Sequence, residues 1–168
     1  MIDAMKKFLE PTTEELIERG FAPKNERIDV LLIFPPTSIA GRYGKKKIGN
    51  IGGNVLPLGV AYLAAYLRDK GFGVGVLDCP GLGIDADQLY EIVKKKNPEI
   101  IAFSSSTYTL FRVIDIAKKI RDGLPNKLTV LGGSHANVAG IETLNQYAYF
   151  DIVSYGLDGE NIIHNIVQ

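Results

Sequence analysis

Short apolar runs alternate with amphipathic segments along most of this chain. The run at residues 28–34 (IDVLLIF) is almost continuously apolar and ends at Pro35-Pro36, which is typical of a strand buried on both faces of a parallel sheet. The predicted strands cover residues 28–34, 74–78, 100–104, 128–131 and 152–155, and the predicted helices cover residues 58–70, 85–96, 110–122, 138–147 and a last segment that begins near residue 160. The alternation indicates an α/β domain.

Five strands that alternate with helices predict a doubly wound, five-stranded parallel sheet of the Rossmann-like type, joined by right-handed crossovers. The strand at residues 28–34 is purely apolar and is therefore expected at the centre of the sheet. We predict the flavodoxin-like strand order 2-1-3-4-5, with the topological switch between strands one and three. Ligands of such sheets bind at the carboxyl ends of the strands, close to the switch.

Residues 1–27 are interpreted as an N-terminal extension, and residues 28–168 as the α/β domain. Thr12 and Glu15 have the spacing of a capping box, which predicts a short helix over about residues 12–19 that ends at Gly20. The segment 23–27 is predicted to be a polar linker. The sequence ends inside a predicted helix, so we expect it to be a fragment of a longer protein.

The composition favours a globular domain without nucleic-acid or membrane partners. Nineteen Lys and Arg residues balance nineteen Asp and Glu residues. A single cysteine, Cys79, excludes an internal disulfide, and neither histidine has another His or Cys at metal-ligand spacing. No apolar run is long enough to span a bilayer and no signal peptide is evident, so the cytoplasm is the default location.

An unusually long loop at residues 37–56 contains five glycines and a basic cluster, Arg42 with Lys45, Lys46 and Lys47. Loops of this length in compact domains tend to be functional or disordered. The cluster is interpreted either as a clamp for a phosphate or another domain, or as a solvated surface. The loop has neither a Walker sequence nor a GxGxxG fingerprint, which disfavours mononucleotide and dinucleotide sites.

Small polar residues follow the third and fourth predicted strands. Hydroxyl groups at Ser104, Ser105, Ser106 and Thr107 suit amides, phosphates or a heterocycle nitrogen, or they simply cap the next helix. Gly132-Gly133 leaves room for a close approach to the backbone, or it serves a turn that needs positive φ. His135, just after the glycine pair, is a candidate ligand contact or a local hydrogen-bond partner.

Two further segments are expected at the same edge of the sheet. Leu56 and Leu58 at the start of the first domain helix offer apolar surface, either to one face of a large flat cofactor or to the protein core. Gly156, Gly159 and Glu160 follow the fifth strand, where the acid either accepts a hydrogen bond from a ligand or favours the start of a helix.

Together these segments resemble the cobalamin-binding domain at the N-terminus of many radical S-adenosylmethionine enzymes. The segments that carry the resemblance are LLIFPP (31–36), PLGVAYLAAYLRDKGFGVGVLD (57–78), PEIIAFSSST (98–107), VLGGSHA (130–136) and FDIVSYGLDGE (150–160). The resemblance implies a channel for the dimethylbenzimidazole tail of cobalamin at the sheet edge. The implied cofactor-binding residues are Asn54, Leu56, Leu58, Gly59, Ser104, Ser105, Ser106, Thr107, Gly132, Gly133, Ser134, His135, Tyr155, Gly156, Gly159 and Glu160.

The sequence departs from the pattern of the wider cobalamin-binding fold at two places. That pattern is Asp-x-His-x-x-Gly, then Ser-x-Leu, then Gly-Gly, and its histidine ligates cobalt from below. The first element corresponds to the segment from Asn54 to Gly59, with Leu56 in place of the histidine. The second corresponds to Ser104 onward, with Ser106 in place of the leucine. The resemblance therefore implies base-off cobalamin without a protein nitrogen ligand.

The catalytic half of such enzymes binds a 4Fe-4S cluster through a CxxxCxxC motif and uses S-adenosylmethionine. One cysteine cannot hold that cluster, so we expect the radical catalytic domain in a C-terminal part of the same polypeptide and predict that this chain alone is a non-catalytic binding module of a methyltransferase-class enzyme. Two alternatives stay open. One is a degenerate scaffold or docking domain of the same architecture, and the other is a flavodoxin-like signalling or nucleotide-binding domain.

Overall fold

A computed structural model describes residues 11–37 and 57–168. The strands are β1 (Phe21–Ala22), β2 (Val30–Phe34), β3 (Val74–Asp78), β4 (Ile100–Ser104), β5 (Leu128–Gly132) and β6 (Ile152–Val153). The helices are α1 (Thr13–Arg19), α2 (Leu58–Asp69), α3 (Cys79–Leu82), α4 (Ala86–Lys96), α5 (Leu110–Gly123), α6 (Ser134–Gln146) and α7 (Gly159–Val167). Within the two described ranges, none of the helices combines the length and the apolar character needed to cross a membrane.

The strands form one sheet in the order β1-β3-β2-β4-β5-β6. The strands β2 to β6 pair in parallel, which confirms the predicted doubly wound sheet and the order of its five parallel strands. The sheet also contains β1, an antiparallel edge strand beside β3 that the sequence did not predict. A strand of two residues is too short to show an alternating pattern. Its Phe21 ring packs where Gly75 of β3 has no side chain.

The predicted N-terminal helix is present and begins immediately after Thr12. The capping box forms, since Glu15 Oε2 accepts from the Thr12 amide at 3.0 Å and Thr12 Oγ1 accepts from the Glu15 amide at 3.2 Å. Strand β6 is shorter than predicted, and two stretches are helical where no helix was predicted. Residues 79–82 form the short helix α3, and α6 begins at Ser134, four residues before its predicted start. The first turn of α6 was missed because it buries a polar residue, His135, and a small one, Ala136, and no large apolar side chain.

Helices cover both faces of the sheet. The face formed by Val30, Leu32, Ala102 and Val130 packs against α2 and α7, which contribute the buried residues Val60, Ala64, Leu67 and Ile163. The opposite face packs against α4, α5 and α6. Central strands β2 and β4 are therefore buried on both sides, which explains why their sequences are apolar without alternation.

A carboxylate fixes the outer strand β6 against β5. Asp151 Oδ2 accepts hydrogen bonds from the Thr129 amide at 2.7 Å, from the Thr129 hydroxyl at 3.0 Å and from Arg121 Nη2 at 2.5 Å. Burial alone would raise the pKa of the Asp151 carboxyl, but these hydrogen bonds and the guanidinium outweigh burial and hold the pKa below its usual range. These contacts, which lie just before β6, fix the register of β6 against β5. They thereby also fix the position of the residues at the carboxyl end of β6.

Candidate functional site

A cavity of about 320 Å³ opens at the carboxyl edge of the sheet, on the face covered by α2 and α7. Its floor is a row of apolar side chains on three adjacent strands, since Leu32 of β2 lies opposite Ala102 of β4 and Ala102 opposite Val130 of β5. Apolar residues of the two helices, Val60 and Leu63 on α2 and Ile163 on α7, form the walls. The volume is near the lower end of the range of about 300–1,000 Å³ found for small-molecule sites.

Seven of the predicted site residues line this cavity. They are Gly59, Ser104, Gly132, Gly133, Gly156, Gly159 and Glu160. The remaining predicted residues within the described ranges lie outside it: Leu58, Ser105, Ser106, Thr107, Ser134, His135 and Tyr155. Asn54 and Leu56, together with the basic cluster at residues 42–47, lie outside the described residues.

The four consecutive hydroxyl groups at residues 104–107, which begin with the last residue of β4, divide into two roles. Three of them hold the loop: Ser105 Oγ lies 3.1 Å and Ser106 Oγ 3.3 Å from Thr109 Oγ1, and Thr107 Oγ1 lies 3.1 Å from His135 Nδ1. The Ser104 hydroxyl has no hydrogen-bond partner among the described residues, and Ser104 lines the cavity. Of the four, Ser104 is therefore the residue with a hydrogen-bonding group available to a ligand in the cavity.

His135 lies buried beneath this loop and not in the cavity. Thr143 Oγ1 donates its only proton to the Ala139 carbonyl at 2.7 Å and so must accept from His135 Nε2 at 2.9 Å. In the neutral ring Nδ1 then accepts from the Thr107 hydroxyl. Both ring nitrogens are hydrogen-bonded, so His135 connects α6 to the loop that contains Ser105, Ser106 and Thr107, here called the serine loop. The structure supports the local hydrogen-bonding alternative for this residue.

The two glycines at the end of β5, Gly132 in the strand and Gly133 after it, have different surroundings. A side chain at Gly133, whose φ is +89°, would place its Cβ 2.5 Å from the Ser105 carbonyl oxygen and 2.6 Å from the Ser105 amide nitrogen. A Cβ at Gly132 would lie 3.6 Å from the nearest atom, the Phe103 carbonyl oxygen, at ordinary contact distance. The positive φ and the close approach of Ser105 therefore require a glycine at position 133. At position 132 a side chain would fit, and its absence keeps the cavity open.

Sequence reasoning missed two polar residues at the mouth of the cavity, Asn137 and Ser154. Asn137 Oδ1 accepts from the Gly156 amide at 2.8 Å and so links the first turn of α6 to the loop after β6. Nothing in the sequence singles out Asn137, because the helix was predicted to begin after it. Ser154 had a usable signal: it lies at the end of a predicted strand, as Ser104 does.

Apolar side chains are exposed around the mouth. Leu58 and Tyr62 on α2 are 73% and 62% exposed, and Leu157, in the loop before α7, is fully exposed at 102%. Tyr62 and Leu157 also line the cavity. The site thus combines an apolar interior, a few hydrogen-bonding groups and an apolar rim, which suits a flat, apolar group that carries one or two polar atoms.

Comparison with protein families identifies the family of this chain. The family model described as the B12 binding domain matches residues 44–166, which is most of the chain. The chain belongs to the B12-binding domain family. The family assignment confirms the resemblance derived from the sequence segments, since vitamin B12 is cobalamin.

Curated relatives of this B12-binding domain are much longer proteins. It is 28% identical over 139 residues to an uncharacterized methyltransferase of Pyrococcus horikoshii, an alignment that covers 83% of this chain and 28% of the relative. It is 32% identical over 121 residues to an anaerobic magnesium-protoporphyrin IX monomethyl ester cyclase of Rubrivivax gelatinosus, covering 70% of this chain and 21% of that protein. The chain therefore spans between about a fifth and just over a quarter of the length of these relatives.

A solved structure shares the fold of this B12-binding domain. A cobalamin-binding protein from Desulfitobacterium hafniense superposes with a TM-score of 0.57 at 18% sequence identity, over 84% of this chain and 60% of that one. At this identity the likeness supports the fold alone.

The residues of the cavity fit the tail of cobalamin. The tail ends in a flat aromatic base, and a flat ring needs an apolar floor and an open wall, which Leu32, Ala102, Val130 and Gly132 provide. A base detached from cobalt has one free ring nitrogen, which accepts a hydrogen bond. The unpartnered hydroxyl of Ser104 lines the same cavity and can donate that bond.

The single cysteine of this B12-binding domain is chemically inert in the folded chain. Cys79 is fully buried at the start of α3. Burial, with a smaller contribution from the Asp78 carboxylate, raises the pKa of its thiol to about 12, so the thiolate is negligibly populated at neutral pH. The structure confirms the interpretation of Cys79 as a small core residue.

Proposed function

We propose that this chain binds base-off cobalamin, with the dimethylbenzimidazole tail inserted between the sheet and helices α2 and α7. The observation that carries the proposal is the cavity itself, which is open at Gly132, apolar at its floor and provided with a free hydroxyl at Ser104. Ser104 donates to the free ring nitrogen of the tail base. The exposed side chains of Leu58 and Leu157 would offer apolar contacts to the corrin ring outside the cavity.

On this proposal, neither histidine of the chain would supply a nitrogen ligand to the lower face of cobalt. In the sequence pattern of the fold, Leu56 stands where a histidine would ligate cobalt, and leucine has no lone pair to donate. The two histidines of the chain are His135, which is buried with both ring nitrogens hydrogen-bonded, and His164 in α7, which packs edge-on against the rings of Tyr66 and Phe72. Neither lines the cavity.

The parent protein is proposed to be a radical S-adenosylmethionine enzyme of the methyltransferase class. Support comes from the resemblance of the segments, and from a curated relative that is itself named a methyltransferase. Cobalamin in such an enzyme supplies a carrier for a methyl group. The 4Fe-4S cluster and S-adenosylmethionine belong to a radical domain elsewhere in the same polypeptide, and this chain contributes the tail pocket and the surroundings of cobalt.

The open cavity favours cofactor binding over the scaffold alternative. A domain that had lost its ligand would have no physical reason to keep a glycine where a Cβ fits without a close contact, since glycine costs about 0.5–1 kcal/mol relative to alanine inside a strand. The nucleotide-binding alternative predicts an acidic cluster or a phosphate loop after the first strand. Strand β2 is instead followed by Pro35 and Pro36.

Electron paramagnetic resonance tests the lower-ligand claim. With the chain loaded with cob(II)alamin, we expect no nitrogen superhyperfine splitting, because neither a histidine nor the tail base ligates cobalt. Free cob(II)alamin at neutral pH, whose own base is bound to cobalt, serves as the positive control for the splitting. A clear nitrogen triplet in the protein-bound spectrum would contradict the base-off, histidine-free assignment.

A further inference from the structure

Ser154 lies at the carboxyl end of β6, in the same row as Ser104 and Gly132. Ser104 of β4 lies opposite Gly132 of β5. The pairing of β5 with β6 continues past Leu131 and Val153, and the Ser154 amide donates to the Leu131 carbonyl at 2.8 Å. Ser154 therefore sits beside Gly132, on the side away from Ser104. An ideal Cβ built on Gly132 would lie 3.8 Å from Ser154 Cβ, so both positions face the same side of the sheet.

The Ser154 side chain is a hydrogen-bonding group without a partner inside the protein. It is half-buried, it lines the cavity, and its hydroxyl makes no hydrogen bond to any other described residue. The spacing of the strands determines where the two serines lie relative to Gly132. Neighbouring strands are about 4.8 Å apart, so the two serines flank the glycine at roughly that distance on either side. The cavity thus has a free hydroxyl on each side of Gly132.

We propose that Ser154 is a second tail-binding residue, which makes this site selective for corrinoids that carry a complete nucleotide tail. The inference rests on the proposed function. One ring nitrogen of the tail base is free and the other bears the ribose, so a single hydroxyl satisfies the base. With Ser104 at the free nitrogen, the Ser154 hydroxyl meets a hydroxyl of the ribose, as donor or acceptor. Gly132 leaves the space between them for the ring.

The test compares two corrinoids on two variants. Cobalamin carries the nucleotide tail, and cobinamide has the same corrin ring without the nucleotide. We expect Ser154→Ala to weaken cobalamin binding about 3- to 10-fold, the effect of one neutral hydrogen bond, and to leave cobinamide affinity unchanged. Thr13→Ala removes a hydroxyl from an exposed residue of α1 and should change neither affinity. Thermal unfolding of each variant shows whether the fold is intact.

The possible outcomes separate this inference from the proposed function. If the wild-type chain binds cobalamin and Ser154→Ala binds it equally well, the assignment of Ser154 is wrong while the proposed function stands. If Ser154→Ala weakens cobalamin and cobinamide to the same extent, Ser154 acts on the corrin ring or on the fold, and the tail-selective role is also wrong. If the wild-type chain binds neither corrinoid, both proposals fail together.

Discussion

Replacing Gly132 with leucine is expected to abolish cobalamin retention while leaving the domain folded. A Cβ at this position meets no atom closer than 3.6 Å, so the backbone accepts a side chain. The rest of the leucine then occupies the cavity between Ser104 and Ser154, where the tail base is proposed to lie. We expect the dissociation constant for cobalamin to rise by about 100-fold or more, equivalent to about 2.7 kcal/mol.

A matched variant separates blockage from a general effect of added apolar surface. Ala86→Leu places the same side chain at an exposed position of α4, on the opposite face of the sheet, and should leave cobalamin affinity unchanged. Binding is measured by absorbance titration, and the fold by circular dichroism. Unchanged affinity in a folded Gly132→Leu variant would mean that the tail does not enter this cavity.

The neighbouring glycine is expected to behave in the opposite way, with a large effect on stability. Gly133→Ala forces a non-glycine residue to φ +89° and brings its Cβ to 2.5 Å from the Ser105 carbonyl oxygen, a backbone atom that cannot rotate away. Unfavourable backbone conformations of this kind cost roughly 1–3 kcal/mol. We expect the midpoint of thermal unfolding to fall by about 4–8 °C for a loss of about 2 kcal/mol.

Gly132→Ala is the matched control for that stability measurement. It adds the same methyl group one residue earlier, in strand β5 and without a close contact, and should leave the unfolding midpoint unchanged or slightly higher. Equal destabilisation by both substitutions would show that the two glycines do not have the separate roles assigned here. A bulky residue at Gly133 is therefore a poor test of tail binding in the cavity. Its side chain would displace the backbone of Ser105 and alter the fold as well as the cavity.

The sheet was predictable because its signal is local and strong. Strands β2 and β4 are apolar on both faces, and this single physical condition gives both their identity and their central position. The antiparallel strand β1 was not predictable, because a strand of two residues shows no periodicity. Its position also depends on the Phe21 ring, which packs against Gly75, far away in the sequence. Tertiary contacts of this kind leave no trace in the local pattern.

The site was predictable as a location but not residue by residue. Polar and glycine residues at strand ends gave the correct edge of the sheet. Four neighbouring hydroxyl groups look alike in the sequence, and only their hydrogen bonds show that Ser104 remains free while Ser105 and Thr107 hold the loop. His135 was predicted as a candidate ligand contact because an imidazole can donate or accept a hydrogen bond. In the structure, both of its ring nitrogens are hydrogen-bonded to threonine hydroxyls within the protein.

Titration of the 168-residue chain with hydroxocobalamin, followed by gel filtration and an absorbance spectrum, shows directly whether the domain retains cobalamin. We expect a near-stoichiometric amount of corrinoid to elute with the wild-type chain and none to elute with the folded Gly132→Leu variant. A folded wild-type chain that retains no corrinoid would contradict the proposal that this domain binds cobalamin by capturing its tail.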